Sequence, residues 1–282
     1  MRLFLGVTYV EVEQLVAVAR CAEAAGFDGV ALADHVAIPG VRESSHTMEE
    51  AGRPLFDPCG PWPDALIAIA AMAAATTTLR FLTRVVVLPL HHPLALARAT
   101  ATVAVLSGGR LELGVGVGWM REEFGQLGAQ WQSRGARADE TIEILRKAWA
   151  GPFQHAGPHY TVAALEITPR PPIPVPVFVG GDSPAALKRA ASLGDGYLSR
   201  APYLGRMREE LEKLRALRAA ARRSGPFEYV ARAGAAWTRA DFEQAQLAGA
   251  TSALIVPWGQ SGPAGPMGEK QRMIEDFMEA MR

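Results

Sequence analysis

The feature that most constrains this chain is a repeating strand–helix rhythm: short, apolar, β-branched runs alternate with longer amphipathic stretches. Apolar runs of roughly four to eight residues bounded by turn formers predict buried strands, and apolar residues recurring at helical spacing predict helices. Strands are expected at Leu3–Val7, Gly29–Ala33, Leu79–Leu88, Leu111–Val117, Val177–Val179, Gly196–Leu198, Phe227–Arg232 and Ala253–Val256. Helices are expected at Glu11–Ala25, Trp62–Ala75, Leu94–Leu106, Met120–Leu127 with Thr141–Trp149, Pro184–Leu193, Leu204–Arg223, Arg239–Ala248 and Pro266–Met281. Eight strand–helix pairs predict an α/β fold, a closed (β/α)8 TIM barrel with its chemistry at the carboxyl ends of the strands. An open doubly wound sheet is the other arrangement such a rhythm allows. The rhythm breaks after the fourth unit. Phe153–Thr168 reads as a hairpin-like insertion around Gly157-Pro158, and the proline-dense Pro169–Pro176 forces extended chain. Residues 1–282 are expected to form one barrel domain with this insertion at about 151–175.

Charge and cysteine usage narrow the function class. The 29 basic and 29 acidic residues cancel, so nothing pulls the chain toward nucleic acid or an anionic membrane. Two cysteines, Cys21 and Cys59, argue against a disulfide scaffold and a paired-cysteine zinc site. Met1–Leu5 is too short for a signal peptide, and no apolar run reaches the roughly 18 residues of a membrane span. A cytoplasmic protein is the expectation.

Polar and glycine residues at strand ends are where a barrel keeps its chemistry. Gly114, Gly116 and Gly118 recur every second residue, so all three lie on one strand face and leave it without side chains. Such a face lets a helix pack closely or something flat approach. The spacing G-x-G-x-G fails the dinucleotide fingerprint, so no Rossmann site is read here. Strand two ends at Asp34-His35, an acid–base pair or a histidine with a neighbour-fixed tautomer, although consecutive residues point different ways. Strand three carries Thr83-Arg84 inside an apolar run and is followed by His91 and His92. After strand five, Gly180-Gly181-Asp182-Ser183-Pro184 offers open backbone N–H groups at a helix N-terminus, suited to phosphate, or an ordinary capped turn. The histidines at 35, 46, 91, 92, 155 and 159 show no metal-ligand spacing, so no metal site is assigned. No G-x-S-x-G elbow supports a hydrolase.

Longer stretches then point to a family. The runs E-A-A-G-F-D-G-V-A-L-A-D-H-V (23–36), L-P-L-H-H-P (88–93), L-S-G-G-R-L-E-L-G-V-G-V-G-W-M-R-E-E-F (106–124), R-G-A-R-A-D-E (134–140) and V-G-G-D-S-P-A-A-L-K-R-A-A-S-L-G-D-G-Y (179–197) resemble the bacterial luciferase-like flavin and deazaflavin enzymes, particularly the F420-dependent oxidoreductases. The resemblance covers most of residues 1–200. It implies a TIM barrel binding F420, or alternatively FMN, at its mouth. Asp34 and His35 match the pair beside the ring system, with His35 the proton handler or substrate orienter. Thr83, Arg84 and Val85 fall on a bulge that backs the ring, often with a non-proline cis peptide. Gly116, Val117 and Gly118 match the segment flanking the ring, and Gly180, Gly181, Asp182 and Ser183 match the coenzyme phosphate loop. His91 and Trp119 are the candidate substrate contacts.

Two departures from the family pattern stand out. Arg84 replaces a small residue, and a long cation there either pairs with the coenzyme or blocks it. Trp119 stands where the family's sugar-phosphate dehydrogenases carry a catalytic glutamate, which argues for an apolar or aromatic substrate instead. The resemblance thus implies hydride transfer between reduced F420 and a small, apolar organic molecule. The alternatives are an FMN monooxygenase served by a separate coenzyme reductase and a non-catalytic flavin-binding barrel. F420's oligoglutamate tail needs a basic exit, for which the sequence offers only scattered arginines. Relatives of this kind imply a homodimer.

Overall fold

In the computed structural model, residues 1–40, 44, 59–201, 203–233, 237–258 and 265–281 are described. Eight parallel strands among them close into a ring. In chain order they begin with β1 (Arg2–Gly6), β2 (Gly29–Leu32) and β3 (Arg80–Thr83), which continues after a break as β4 (Val86–Val87), followed by β5 (Leu111–Gly116). An antiparallel hairpin, β6 (Phe153–Ala156) with β7 (Thr161–Leu165), interrupts the series where the insertion is expected. The ring resumes with β8 (Val177–Gly180), β9 (Gly196–Leu198), β10 (Glu228–Arg232) and β11 (Ser252–Ile255). β1 pairs with both β2 and β11, and β3 pairs with β5, which closes the barrel and excludes the open sheet.

Two apolar layers hold it. Outward-facing strand residues pack on the helices around them, while Phe4, Ala31, Leu82, Phe178, Leu198, Val230 and Leu254 fill the barrel interior. Each interior residue comes from a different strand, as inward-pointing residues of a barrel must. Beneath them Glu112 accepts from Arg2 and Arg80, both at 2.5 Å, and ties three strands together.

The helices are α1 (Leu15–Ala25), α2 (Ala65–Ala74), α3 (Pro93–Leu106), α4 (Arg121–Gln126), α5 (Arg134–Ala150), α6 (Pro184–Leu193), α7 (Leu204–Ala220), α8 (Arg239–Ala248) and α9 (Met267–Met281). Differences from expectation have local causes. Asp64 accepts from the Ile67 N–H and starts α2 three residues later than the alanine pattern suggests. α5 begins at Arg134 and runs through Gly135 to the expected segment. α7 ends early, with Arg222 at φ +52°.

Glu23, near the end of α1, fastens that helix to the entry of β3. One carboxylate oxygen accepts from the N–H groups of Thr77, Thr78 and Leu79 at 2.7–2.9 Å and from the Thr78 hydroxyl at 3.0 Å. Loss of solvent raises its pKa, but the Thr78, Leu79 and Thr77 N–H groups outweigh that and lower it from 4.5 to about 2. Its stabilisation is therefore complete above the unfolded-state pKa and lost as the pH falls toward about 2. Glu23→Gln is expected to cost about 1 kcal/mol at pH 7. In urea unfolding, that gap should close as the pH is lowered from 4.5 toward 2.

Candidate functional site

Directly above the interior layer, at the carboxyl ends of the strands, lies a cavity of about 340 Å³, within the roughly 300–1,000 Å³ usual for cofactor and small-molecule sites. Its floor follows from strand geometry. Side chains two residues apart share a face, so each interior residue is followed by one at the cavity level. Phe4 is followed by Gly6, Ala31 by Ala33, Phe178 by Gly180 and Leu254 by Val256, all small or apolar. Leu82, Leu198 and Val230 are instead followed by Arg84, Arg200 and Arg232.

Asp34 and His35 both line the cavity but do not bond each other within the described contacts; each has its own partner. Asp34 Oδ2 lies 3.1 Å from His91 Nε2, and His35 Nδ1 lies 2.9 Å from Glu123 Oε2. Glu123 is 1% exposed and its other oxygen accepts from the Val36 and Ala37 N–H groups at 2.8 and 3.2 Å. One buried carboxylate from α4 thus fixes both the histidine ring and the chain leaving β2. An aromatic wall surrounds His35: its ring meets Trp62 at 5.0 Å and Trp119 at 6.1 Å edge to face, and Trp62 meets Tyr9 at 5.1 Å.

Arg84 and Val85, joined by a cis peptide, form the break between β3 and β4 and line the cavity. A cavity remains above Arg84, whose side chain reaches across the floor from the end of β3 to that of β9, with Nη2 donating to the Ser199 carbonyl at 3.2 Å. Burial, then the positive charges of Arg232 and Arg200, push its guanidinium down to about 9, against the pull of Asp182. An arginine at that value is still protonated at neutral pH, so the shift reports first the burial of the guanidinium and only second its two positive neighbours. Thr83 is fully buried beneath the cavity, and its hydroxyl donates to the Gly114 carbonyl at 2.8 Å.

The glycine ladder serves the protein's own backbone as well as the cavity. A Cβ on Gly114 would stand 1.9 Å from the Thr83 carbonyl oxygen, and one on Gly116 2.7 Å from a Val85 methyl. What approaches this bare face closely at Gly114 is the third strand itself. Gly116, Val117, Gly118 and Trp119 nonetheless line the cavity. So do Gly180 and Gly181, the latter at φ +124° and accepting from the Tyr197 hydroxyl at 3.0 Å. Burial raises that hydroxyl's pKa, keeping it a donor.

Several expected site residues lie elsewhere. Thr83, Asp182, Ser183 and His91 are not among the cavity's lining residues. The Ser183 hydroxyl is engaged as the cap of α6, accepting from the Ala186 N–H at 3.1 Å, and Asp182 pairs with Arg200 at 3.4 Å. His91 lines a second cavity of about 160 Å³ behind Asp34, with His92 and Asp64. His155 binds Glu140 at 2.9 Å and anchors the hairpin to α5, while His46 lies outside the described residues. Among the described residues there is no group of three or more metal-ligating side chains, and no helix is long and apolar enough to cross a membrane.

Sequence reasoning missed Glu123, Arg200 and Arg232. The arginines lie at the ends of strands six and seven, which are readable in the same way as the ends of strands two to five. Glu123 looks like any exposed helix charge in M-R-E-E-F. The cavity is lined by Tyr9, Trp62 and Trp119 and also by three arginines at its floor, a mixed character that the sequence reading, with its apolar or aromatic substrate, did not anticipate.

Comparison with known proteins gives the fold and the family. A crystal structure of a monooxygenase from Streptomyces bottropensis has the same fold, with a TM-score of 0.77 at 20% identity over 100% of this chain and 98% of that one. A protein of Mycobacterium tuberculosis, itself uncharacterized, is 31% identical over 265 residues, covering 93% of this chain and 92% of its own length. An F420-dependent glucose-6-phosphate dehydrogenase of Beutenbergia cavernae is 35% identical over 182 residues, which are 63% of this chain but only 49% of that enzyme. The family model described as luciferase-like monooxygenase matches residues 5–273, and so the chain belongs to that family and with it to the oxidoreductases.

Proposed function

We propose that the chain is an F420-dependent oxidoreductase that moves a hydride between F420 and a small organic substrate. One observation carries the reading: a single cavity at the barrel mouth gathers Asp34, His35, the Arg84-Val85 bulge and the glycine segments at 116–118 and 180–181. The F420-dependent relative, 35% identical, supports the choice of coenzyme. The residues present fit a flat polycyclic ring: the cavity of about 340 Å³ is bordered by Val85, Trp62 and Trp119 and by the backbone of Gly116–Gly118 and Gly180-Gly181. When bound, F420 supplies the two-electron step.

The chain supplies position and a proton. With Nδ1 donating to Glu123, His35 exchanges its proton through Nε2. Trp62 and Trp119 flank the His35 ring and give the substrate a flat apolar surface. Asp34, held by His91, presents a carboxylate to the same cavity. The relative's sugar phosphate is not carried over, since the resemblance sets a catalytic glutamate at the position of Trp119. A homodimer is part of the proposal, testable by sedimentation.

Titration of the purified chain with F420 and with FMN, followed by tryptophan fluorescence, tests the reading. Trp62 and Trp119 line the cavity, so F420 binding is expected to quench emission at micromolar coenzyme, with FMN weaker by about tenfold or more, the equivalent of one lost charged hydrogen bond. Binding of neither coenzyme would reject the proposal, and preference for FMN would move it to the flavin monooxygenases.

A further inference from the structure

The three arginines at the cavity floor are unlike anything the redox step requires. They come from three strands, β3, β9 and β10, and stand at one level of the barrel, each two residues beyond an interior apolar side chain. The segment bearing Arg200 is tightly built: the Ser199 hydroxyl donates to Glu210 at 2.7 Å, the Tyr229 hydroxyl to the same oxygen at 2.8 Å, and the Ser199 carbonyl receives Arg84. Ser199 Oγ also accepts from the Ala201 N–H at 3.0 Å. This scaffold holds two guanidinium groups next to each other although like charges repel. Asp182, on the rim of the cluster, pairs with Arg200 at 3.4 Å.

We propose that Arg84, Arg200 and Arg232 form an oxyanion subsite and that the substrate is an organic anion. Its carboxylate or phosphate end docks on the arginines, and its apolar or aromatic body lies against Tyr9, Trp62 and Trp119. The inference rests on the reading of this cavity as the redox site and deepens it by naming the substrate class. Guanidinium forks match carboxylate and phosphate oxygens in bidentate pairs, and a bound oxyanion offsets the crowding of positive charge. The polyanionic tail of F420 is the competing occupant. A tail must leave toward solvent, however, whereas these arginines sit immediately above Leu82, Leu198 and Val230, at the bottom of the cavity. Arg200 and Arg232 end strands that lie across the ring from β2 and β3, the side of Trp62 and Trp119, so one ligand with a charged end and an apolar body satisfies both.

The test is calorimetric titration of benzoate, phenyl phosphate and the neutral benzyl alcohol into the wild type, Arg232→Gln and Arg232→Lys, each with and without saturating F420. At least one anionic probe is expected to bind the wild type about tenfold or more tightly than benzyl alcohol, the equivalent of one charged hydrogen bond. That preference should fall within about threefold in Arg232→Gln and return in part in Arg232→Lys, while the affinity for F420 changes by less than about threefold. Thermal unfolding of each variant shows that it is folded. An absence of charge preference in the wild type overturns the inference. So does an Arg232→Gln variant that keeps the preference but binds F420 about tenfold more weakly, which would give the cluster to the coenzyme. Failure of the wild type to bind F420 rejects the coenzyme reading alone, because the probe titrations without coenzyme are scored separately.

Discussion

Gly114→Ala is expected to destabilise the protein by about 3 kcal/mol or more, through overpacking that cannot relax cheaply. For a chain of this size that lowers the thermal midpoint by at least about 6 °C. The added methyl would stand 1.9 Å from the Thr83 carbonyl oxygen and 2.7 Å from a Leu198 methyl. The leucine can rotate, but the carbonyl belongs to a barrel strand whose own Thr83 hydroxyl is bound to the Gly114 carbonyl at 2.8 Å. Either β3 and β5 separate or the residues after Thr83 shift, and Arg84 and Val85 of the cavity shift with them. Loss of coenzyme binding should therefore accompany loss of stability. Gly125→Ala is the control: that glycine lies in α4 with open space around its would-be Cβ, and its replacement should stabilise by up to about 1 kcal/mol. Equal melting curves for Gly114→Ala and the wild type would show that the strands do not press on each other here.

The barrel was legible because its signal is periodic and repeated. Eight apolar runs at strand length, separated by helical ones, leave little topological choice, and even short elements such as Gly196–Leu198 fall where the pattern puts them. The break in strand three was not legible from the residues themselves. L-T-R-V-V-V reads as one β-branched strand, and only the resemblance implied a bulge; in the fold Val85 packs against Gly116 of β5 and Gly180 of β8, neighbours that no local pattern announces. Site residues were legible in proportion to how local their signal is. Asp34, His35, Trp119 and the glycines announce themselves by position at a strand end. The partners of Asp34 and His35 are 57 and 88 residues away, and no pattern in the sequence connects them. Arg200 and Arg232 are likewise unremarkable one at a time; only closure of the ring sets them beside Arg84.

Glu123→Gln should reverse the tautomer of His35 and slow proton transfer at the site by about 100- to 10,000-fold, as removal of a carboxylate that orients a catalytic histidine does. A carboxylate accepts only, so its contact with Nδ1 requires the proton there and leaves Nε2 with the lone pair in the neutral ring. In the glutamine variant, one amide oxygen suffices to keep the Val36 and Ala37 N–H groups satisfied. The amide nitrogen must then face the imidazole and donate to Nδ1, which moves the ring proton to Nε2. The substitution is nearly isosteric at a fully buried position, so the fold is retained while Nε2, the nitrogen proposed to exchange the proton, changes from acceptor to donor. Nitrogen NMR of the ring reads this directly: the two ring signals should exchange their protonated and unprotonated shifts between wild type and variant. Glu123→Ala, by contrast, deprives three N–H donors of their acceptor at once and should cost about 2–4 kcal/mol of stability. If the His35 tautomer is the same in wild type and Glu123→Gln, the carboxylate serves only to tie α4 to the chain after β2, and the proton at this site is governed by something else.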